Sequence, residues 1–251
     1  MDIQSEVADR SLFVSSPLQS DDGLARRMLE TAVEYKELRM MYACAIKEVQ
    51  TKFEVLNTEF NILYKRNPIS SMSTRLKSSS SIIEKLHRKG IGFSLDNLEE
   101  YIQDIAGIRI ICSYVDDIYT LAESIIKQDD ITLVEKKDYI ENPKPNGYRS
   151  LHLIISVPVF FSQQKRDMKV EIQIRTIAMD FWASLEHQIK YKKVIPDQDN
   201  IVAKLRACAD DIARIDGEMM EIHRQLEASE NREREEDSLL AMLRKLDTPI
   251  S

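Results

Sequence analysis

The sequence is poor in the residues that break or cross-link a chain. Its 251 residues include only 6 glycines, 7 prolines and 3 cysteines. So few glycines and prolines disfavour a loop-rich all-β protein. Cys44, Cys112 and Cys208 are odd in number and far apart, which disfavours a disulfide framework and a metal-binding cysteine cluster. This cysteine usage suits a reducing compartment, so we expect a cytoplasmic protein.

Long apolar runs and an excess of positive charge are also missing. No apolar stretch approaches the roughly 18 residues that a membrane span requires, so no membrane partner is expected. The N-terminus has no basic segment followed by an apolar run, which disfavours a secretory leader. The net charge of -7 makes the chain a poor general binder of nucleic acid, and DNA is not an expected partner. Any anionic ligand must therefore be held by a local basic pocket.

What the chain does have is apolar periodicity, which predicts an α/β (α+β) fold with long N- and C-terminal helices. We expect a flexible tail over residues 1–21, followed by an N-terminal helix over 22–66 that Asn67-Pro68 ends. No strand is assigned to the Ser-rich residues 70–80, and a helix is predicted to begin at Ser80 or Ser81. The remaining predicted helices cover about 95–104, 117–127 and 177–192. The predicted strands cover 107–114, 131–140, 148–160 and 168–176, the first two being joined as in a βαβ unit and the last two as a hairpin.

The C-terminal helix, expected after Pro196, carries an apolar seam with alternating spacings of four and three. Its members are Ile201, Leu205, Cys208, Ile212, Ile215, Met219, Ile222 and Leu226. Such a heptad seam is typical of helices that associate with other helices. A helix that covers its own sheet would show the same pattern, so both interpretations stand.

The residues 170–175 form a polar ladder on a predicted strand. Alternate side chains of a strand point to opposite faces, so Glu171, Gln173 and Arg175 share one face, opposite the apolar side chains. A solvated sheet face would look the same. Tyr148 and His152 share a face of the preceding strand, and an aromatic ring with an imidazole beside a carboxylate is typical of a nucleotide site.

A basic cluster lies upstream of these strands. Ser81, Lys85 and Arg88 are spaced i, i+4, i+7 and so line one helix face, and Arg75 and Lys77 precede that helix. In an acidic protein this cluster favours a polyphosphate site, although a solvated basic face is an alternative.

Asp104 stands just before an apolar strand, where a carboxylate can project from the sheet. Together with Glu171 it could hold one Mg²⁺, which prefers a few carboxylates plus substrate phosphates. Asp104 alone would be interpreted as a surface acid. The adjacent acids Asp116-Asp117 lie between a strand and a helix and are interpreted as an N-cap.

Four strings in this order resemble the small alarmone synthetases, the single-domain relatives of the RelA/SpoT stringent-response enzymes. The strings are Arg75-Leu76-Lys77, Asp104-Ile105-Ala106-Gly107-Ile108-Arg109, residues 144–152 (KPNGYRSLH) and residues 170–176 (VEIQIRT). The resemblance covers about residues 22–226. It implies a nucleotidyltransferase-like synthetase fold, with a mixed sheet of about five strands flanked by helices. It also implies a (p)ppGpp synthetase catalytic core over 67–195 and a C-terminal oligomerisation segment over 196–251.

The resemblance also implies roles for individual residues. On the ATP side, Arg75 and Arg109 match the pair that sandwiches adenine, and the expected phosphate contacts are Lys77, Ser81, Lys85 and Arg88. Asp104 and Glu171 match the catalytic Mg²⁺ ligands. On the guanine-nucleotide side, Tyr148 matches the residue that stacks on the base, and the other expected contacts are Lys137, Lys144, Asn146, His152 and Gln173.

The implied reaction is attack of the 3′-hydroxyl of GTP or GDP, or of GMP, on the β-phosphorus of ATP, with AMP leaving. Because the hydrolase and regulatory domains of the long relatives have no counterpart in this sequence, we expect synthesis of the alarmone and not its degradation. A homotetramer is implied as well, and an allosteric alarmone or single-stranded RNA is a further possible partner. The alternatives are an NMP-adding nucleotidyltransferase and a non-catalytic oligomer that binds nucleotides or RNA.

Overall fold

A computed structural model describes residues 18–191 and 198–246, and it confirms the predicted α+β fold. Within these residues five strands form one mixed sheet that six helices accompany. The helices are α1 (Leu18–Tyr64), α2 (Ser79–Arg88), α3 (Leu95–Tyr101), α4 (Val115–Ile126), α5 (Ile177–Tyr191) and α6 (Gln198–Leu246). The strands are β1 (Ile69–Leu76), β2 (Ala106–Cys112), β3 (Thr132–Asp138), β4 (Leu151–Phe160) and β5 (Lys165–Thr176). None of the described helices is both long and apolar enough to cross a membrane.

The N-terminal prediction needs one correction. Of the tail expected over 1–21, residues 1–17 lie outside the described part, and from Leu18 onward the chain is helical. The chain divides into two units within α1, at Met40–Met41, so the sheet and helices α2–α6 all belong to the second unit. The division into tail, N-terminal helix, core and C-terminal segment stays a prediction.

The strand order is β1-β2-β5-β4-β3. Only β2 and β5 form a parallel pair, and the other neighbours are antiparallel. The β4–β5 hairpin is as predicted, with a tight turn in which Phe161 N donates to Gln164 O at 2.8 Å. The βαβ-like start is only partly right, because β5 and β4 lie between β2 and β3. The hairpin therefore brings the polar ladder of β5 into the middle of the sheet.

The Ser-rich stretch was wrongly left without a strand. Residues 69–76 form β1, an edge strand that pairs with β2 from Ile69–Cys112 to Leu76–Ala106. Its serines give no apolar alternation, so only the pairing with β2 defines it. The following helix α2 is capped by Ser78, whose hydroxyl accepts from Ser81 N, and not by Ser80 or Ser81.

The two faces of the sheet differ in polarity. Ile108 and Ile110 of β2, with Ile172 and Ile174 of β5, are buried, and α4 packs against both strands. The intervening residues point to the other face, which carries the polar side chains. A slip of one residue in the pairing would exchange the two sets, so the apolar residues fix the direction in which the polar ones point.

The seam of α6 is mostly exposed in the chain. Ile215, Met219, Ile222 and Leu226 are between 44% and 58% exposed, whereas the buried apolar residues in the part of the helix whose side chains are described, 200–229, are Ala209 and Met220. The alternative in which the seam covers the chain's own sheet is therefore wrong for these positions. Residues 192–197 and 247–251, which adjoin α6, lie outside the described part.

Candidate functional site

The strand register aligns two rows of side chains across the polar face of the sheet. The first row is Ser73, Arg109, Gln173, His152 and Lys137, taken from β1 to β3. The second row is Arg75, Gly107, Glu171, Ile154 and Glu135. Eight of the ten are polar or charged residues from five strands, so the sheet gathers groups that are far apart in the sequence.

Two adjoining clefts open along these rows and share Glu171. The first is lined mainly by β1, β2 and β5, and includes Arg75, Arg109 and Gln173. The second is lined mainly by β3, β4 and the loop that joins them, and it includes Lys137, Lys144 and His152. Gly107 contributes no side chain to the first cleft, which leaves its floor open beside Glu171. Glu171 therefore stands at the boundary between two basic compartments.

Asp104 is held by two lysines. Lys77 Nζ donates to one carboxylate oxygen at 2.8 Å, and Lys85 Nζ donates to the other at 2.9 Å. Burial alone would raise the pKa of Asp104, but the hydrogen bonds and charges of the two lysines outweigh it and lower that pKa. The carboxylate is therefore ionised and surrounded by positive charge.

Glu171 is held by different groups. Gln173 Nε2 donates to Glu171 Oε2 at 2.9 Å, and His152 Nδ1 lies 3.5 Å from Glu171 Oε1. Burial would raise the pKa of Glu171, but the contact with His152 and the hydrogen bond from Gln173 outweigh it and lower that pKa. The charge of Asp104 acts in the opposite direction and raises it, so the two carboxylates lie within electrostatic reach of one another.

Arg175 lies beneath this arrangement and was not among the predicted site residues. Its side chain is 3% exposed, and its Nη2 donates to Gln173 Oε1 at 2.8 Å and to the Tyr148 hydroxyl at 3.1 Å. Since arginine only donates, the Tyr148 hydroxyl can give its own proton to His152 Nε2, 2.8 Å away. In the tautomer that accepts this proton, His152 has its N–H on Nδ1, facing Glu171. Two hydrogen-bonded arms thus run from Arg175 to Glu171, one through Gln173 and one through Tyr148 and His152.

An aromatic group borders the second cleft. Tyr139, Tyr148 and His152 meet edge to face, with ring centroids 5.2–6.0 Å apart. The Lys144 ammonium lies 4.4 Å from the ring centre of Tyr139 and 4.8 Å from that of Tyr148. The Tyr148 ring is partly buried and lines a third cleft with Arg75, Arg109 and Gln173, so it is not enclosed in the apolar core.

The third cleft has a volume of about 470 Å³, within the range of roughly 300–1,000 Å³ typical of small-molecule sites. It is also lined by Glu186 of α5, whose Oε1 accepts from Asn146 Nδ2 at 2.9 Å. Glu186 is buried and was not predicted from the sequence. Helical periodicity marks it only as one polar residue among several, whereas the period of two on β5 already pointed to Arg175.

Several predicted site residues line none of the three clefts, and one predicted cap has another role. The residues outside the clefts are Lys77, Ser81, Lys85, Arg88, Asp104 and Asn146. Among them, Ser81 and Arg88 are on α2, and Arg88 is exposed on the last turn. Asp117 is not an N-cap: it occupies the third helical position, accepts from Tyr114 N at 3.3 Å and pairs with Arg66. This pairing gives Asp117 a structural role at the start of α4.

No group of three or more His, Cys, Asp or Glu residues placed to hold a metal occurs among the described residues. The donor set of Asp104 and Glu171 has two carboxylates. That set fits Mg²⁺, which binds proteins through one or two carboxylates and completes its shell with water and substrate phosphates.

Comparison with known proteins places these features in a family. A sequence-family model, described as the region found in RelA / SpoT proteins, matches residues 74–195 of this chain. The chain is 42% identical over 200 residues to the GTP pyrophosphokinase YwaC of Bacillus subtilis, covering 79% of this chain and 95% of that protein.

Solved structures agree with this match. The small alarmone synthetase 2 from Bacillus subtilis is 43% identical with a TM-score of 0.69, over 76% of this chain and 99% of that one. The small alarmone synthetase 1 from the same organism, bound to its product pppGpp, is 36% identical with a TM-score of 0.70, over 77% and 98% of the two chains. The chain therefore belongs to the RelA/SpoT family, and its similarity to small alarmone synthetases extends over about three quarters of its length.

Proposed function

We propose that this chain is a (p)ppGpp synthetase that transfers the β,γ-diphosphate of ATP to the ribose 3′-hydroxyl of a guanine nucleotide and releases AMP. The observation that carries the proposal is the position of Glu171, which is shared by two basic clefts on one sheet face. A transfer between two nucleotides requires a reacting group at the boundary of a donor site and an acceptor site.

The first cleft is assigned to ATP. Arg75 and Arg109 line it from neighbouring strands, and their guanidinium groups can stack on a purine. Lys77 and Lys85, which pair with Asp104, are assigned the positive charge for the polyphosphate. Ser81 and Arg88, on the helix of Lys85, are further proposed phosphate contacts, although they line none of the three clefts. Positive groups fixed before the reaction stabilise the charge that develops on the transferred phosphates.

The second cleft and the part of the third cleft around Tyr148 and Glu186 are assigned to the acceptor, whereas Arg75 and Arg109, which line both the first and the third cleft, stay assigned to ATP. The Tyr148 ring offers a stacking surface for guanine, and the buried carboxylate of Glu186 in the same cleft can accept from the N1 and N2 donors of that base. Lys137 and Lys144, with His152, line the adjoining cleft where phosphates and ribose would lie. Asn146 and Gln173 hold Glu186 and Glu171 through their amide groups.

Asp104 and Glu171 are proposed to hold Mg²⁺ together with the phosphates of ATP. The effect of the Asp104 charge on the pKa of Glu171 and the two-carboxylate donor set support this assignment. When bound there, Mg²⁺ would neutralise charge on the polyphosphate. Lys77 and Lys85, which now cover both oxygens of Asp104, would then be available to the phosphates.

Glu171 is also proposed to receive the proton of the attacking hydroxyl. The acceptor 3′-oxygen forms a bond to the β-phosphorus, the bond from that phosphorus to the oxygen bridging to the α-phosphate breaks, and its electron pair leaves with AMP. The proton passes to Glu171, which His152 and Gln173 orient. General base assistance of this kind accelerates a reaction by about 10²- to 10⁴-fold.

The test is incubation of the purified chain with labelled ATP, Mg²⁺ and GTP, GDP or GMP, with separation of the products. The proposal expects a guanosine product carrying the label from the β-phosphate of ATP, and AMP in equal amount. Release of pyrophosphate in place of AMP would favour a nucleotidyltransferase that adds NMP, and binding without turnover would favour a non-catalytic nucleotide binder.

A homotetramer is part of the proposal. The exposed seam of α6 supports association between helices, because apolar side chains at heptad spacing are stabilised by a partner helix. The reaction is assigned to the cytoplasm, where both nucleotides are available, and no disulfide joins Cys44, Cys112 and Cys208, which agrees with a reducing compartment. An allosteric alarmone or single-stranded RNA ligand stays an expectation from the family resemblance.

A further inference from the structure

The loop that carries Tyr148 is fastened to helix α6 on both sides of that residue. Before it, Arg206 Nη1 donates to Pro145 O at 2.9 Å. After it, Arg149 Nη1 donates to Ala209 O at 2.8 Å, and Arg149 Nη2 lies 3.4 Å from Asp210 Oδ1. Because the backbone is tied down on both sides of Tyr148, the place of its ring depends on the place of α6.

Gly147 makes the closest approach between the loop and the helix. Its φ of +91° is a conformation that side chains rarely adopt, and it closes a turn in which Gly147 N donates to Lys144 O at 2.8 Å. A Cβ atom at this position would lie 2.6 Å from the Ala209 Cβ. The loop therefore rests directly on α6 at Ala209, which is 2% exposed, with no room for an added methyl group.

The same part of α6 is anchored to the elements that carry the rest of the acceptor site. Thr176 Oγ1, next to Arg175 at the end of β5, donates to Asp216 Oδ2 at 2.8 Å. Trp182 Nε1 of α5, one turn before Glu186, donates to Leu205 O at 2.8 Å. Helix α6 thus joins the loop of Tyr148 to the strand of Arg175 and to the helix of Glu186.

We infer that α6 is the positioning element of the acceptor side, and that Arg206, Ala209 and Arg149 set the place of Tyr148 for the guanine nucleotide. This inference rests on the proposed function. It adds a role for a helix whose described residues line none of the three clefts. The hydrogen bonds that Arg149 and Arg206 make between the loop and α6 reach Ala209, Asp210 and Pro145, which are not residues assigned to ATP. A small displacement of the loop should therefore affect the acceptor more than ATP.

The first test is Ala209→Val, which adds two methyl groups where the loop rests. Its matched control is Ala207→Val, an exposed position on the same helix with the same loss of helix propensity. We expect Ala209→Val to raise the KM for the acceptor by about 10- to 100-fold, as a displacement of the order of 1 Å can do. The KM for ATP should stay within about twofold of wild type, and Ala207→Val should resemble wild type in both constants.

The second test is Arg206→Ala, at an exposed position where folding is not endangered. It should raise the acceptor KM by a smaller factor, about 3- to 10-fold, which is the loss expected for one hydrogen bond. Arg206→Lys keeps a donor for Pro145 O and should recover most of that loss. Thermal unfolding of all variants is measured alongside.

Two sets of outcomes overturn the inference. The inference is wrong if the acceptor KM of Ala209→Val equals that of Ala207→Val, or if the acceptor KM of Arg206→Ala equals that of wild type. It is also wrong if the KM values for the acceptor and for ATP rise together while Tm falls. If the wild-type chain forms no guanosine product, the proposed function fails. If it forms product and the variants do not discriminate between acceptor and ATP, only the role of α6 fails.

Discussion

Asp104 and Glu171 are two half-buried carboxylates whose pKa values both lie below the ordinary range, but for different reasons. Around Asp104 the compensation comes from two full positive charges, Lys77 and Lys85. Around Glu171 it comes from an imidazole and a neutral amide. The negative charge of Asp104 is thus already compensated by two lysines in the free chain, whereas less of the negative charge of Glu171 is compensated. This difference supports the proposal that the first region binds anions and that the second is the reacting centre.

The largest expected effect is at the reacting centre. Glu171→Gln keeps the shape of the side chain but removes both the charge and the capacity to take a proton, so synthesis should fall by about 10²- to 10⁴-fold. Glu123→Gln, at an exposed position on α4, is the control and should keep wild-type activity. Product formation is measured by chromatography with labelled ATP. A residual activity within tenfold of wild type would show that Glu171 is not the reacting group.

The next effect is at the neutralised end. Asp104→Asn should lower activity by an amount of the order of 10²-fold and raise the Mg²⁺ concentration required for half-maximal rate, because one carboxylate ligand is lost. Asp96→Asn, on an exposed position of α3, is the control. The rate is titrated against Mg²⁺ at saturating nucleotide. A lower rate with an unchanged Mg²⁺ requirement would mean that Asp104 only holds the two lysines.

Two substitutions of Tyr148 separate the effect of base stacking from the effect of the hydrogen-bonded arm that reaches Glu171. Tyr148→Ala should raise the acceptor KM by about 5- to 150-fold, which corresponds to stacking worth roughly 1–3 kcal/mol. Tyr148→Phe keeps the ring but removes the hydroxyl between Arg175 and His152, so kcat should fall about fivefold with little change in KM. Steady-state kinetics on both variants makes the check. If both variants change KM alone, the arm does not serve Glu171.

The smallest effect concerns stability. Because the pKa of Asp104 is lower in the folded chain than its ordinary value, its ionised form stabilises the fold above the ordinary carboxyl range, and this contribution is lost as the pH falls through the folded pKa. The difference in free energy of unfolding between wild type and Asp104→Asn should therefore shrink between pH 7 and acid pH. Urea denaturation at several pH values measures it. If this difference in free energy of unfolding grows on acidification, the ionised form of Asp104 does not stabilise the fold as expected.

Much of the site could be predicted because β-strands have a period of two. On β5 the alternation of Val170, Ile172 and Ile174 with polar residues correctly placed Glu171 and Gln173 on one face. Tyr148 and His152 were expected on one face of a strand over 148–160, but β4 begins at Leu151 and Tyr148 lies in the loop before it. Their side chains are nevertheless hydrogen-bonded. The basic cluster with Lys77 and Lys85 and the pairing of Asp104 with Glu171 were also inferred from the residues, and the family resemblance added Lys137 and Lys144. Site roles for all of these residues remain predictions.

Other parts could not be predicted, for physical reasons that differ. Strand β1 has serines where an apolar alternation would be expected, so its strand character comes from pairing with β2. Glu186 lies on an amphipathic helix where several polar residues look equivalent, and only the packing of α5 turns it toward Asn146. The contact between Gly147 and Ala209 joins residues 62 positions apart, which no local pattern reveals.

The sequence by itself determined which residues are apolar, which alternate, and therefore which side chains share a face of each helix or strand. Only the tertiary structure decided that β5 lies between β2 and β4, so that Glu171 belongs to two clefts at once, and that α6 supports the loop of Tyr148. The reason is that periodicity is a property of neighbours along the chain. Strand order and helix packing depend on how distant apolar surfaces are buried together.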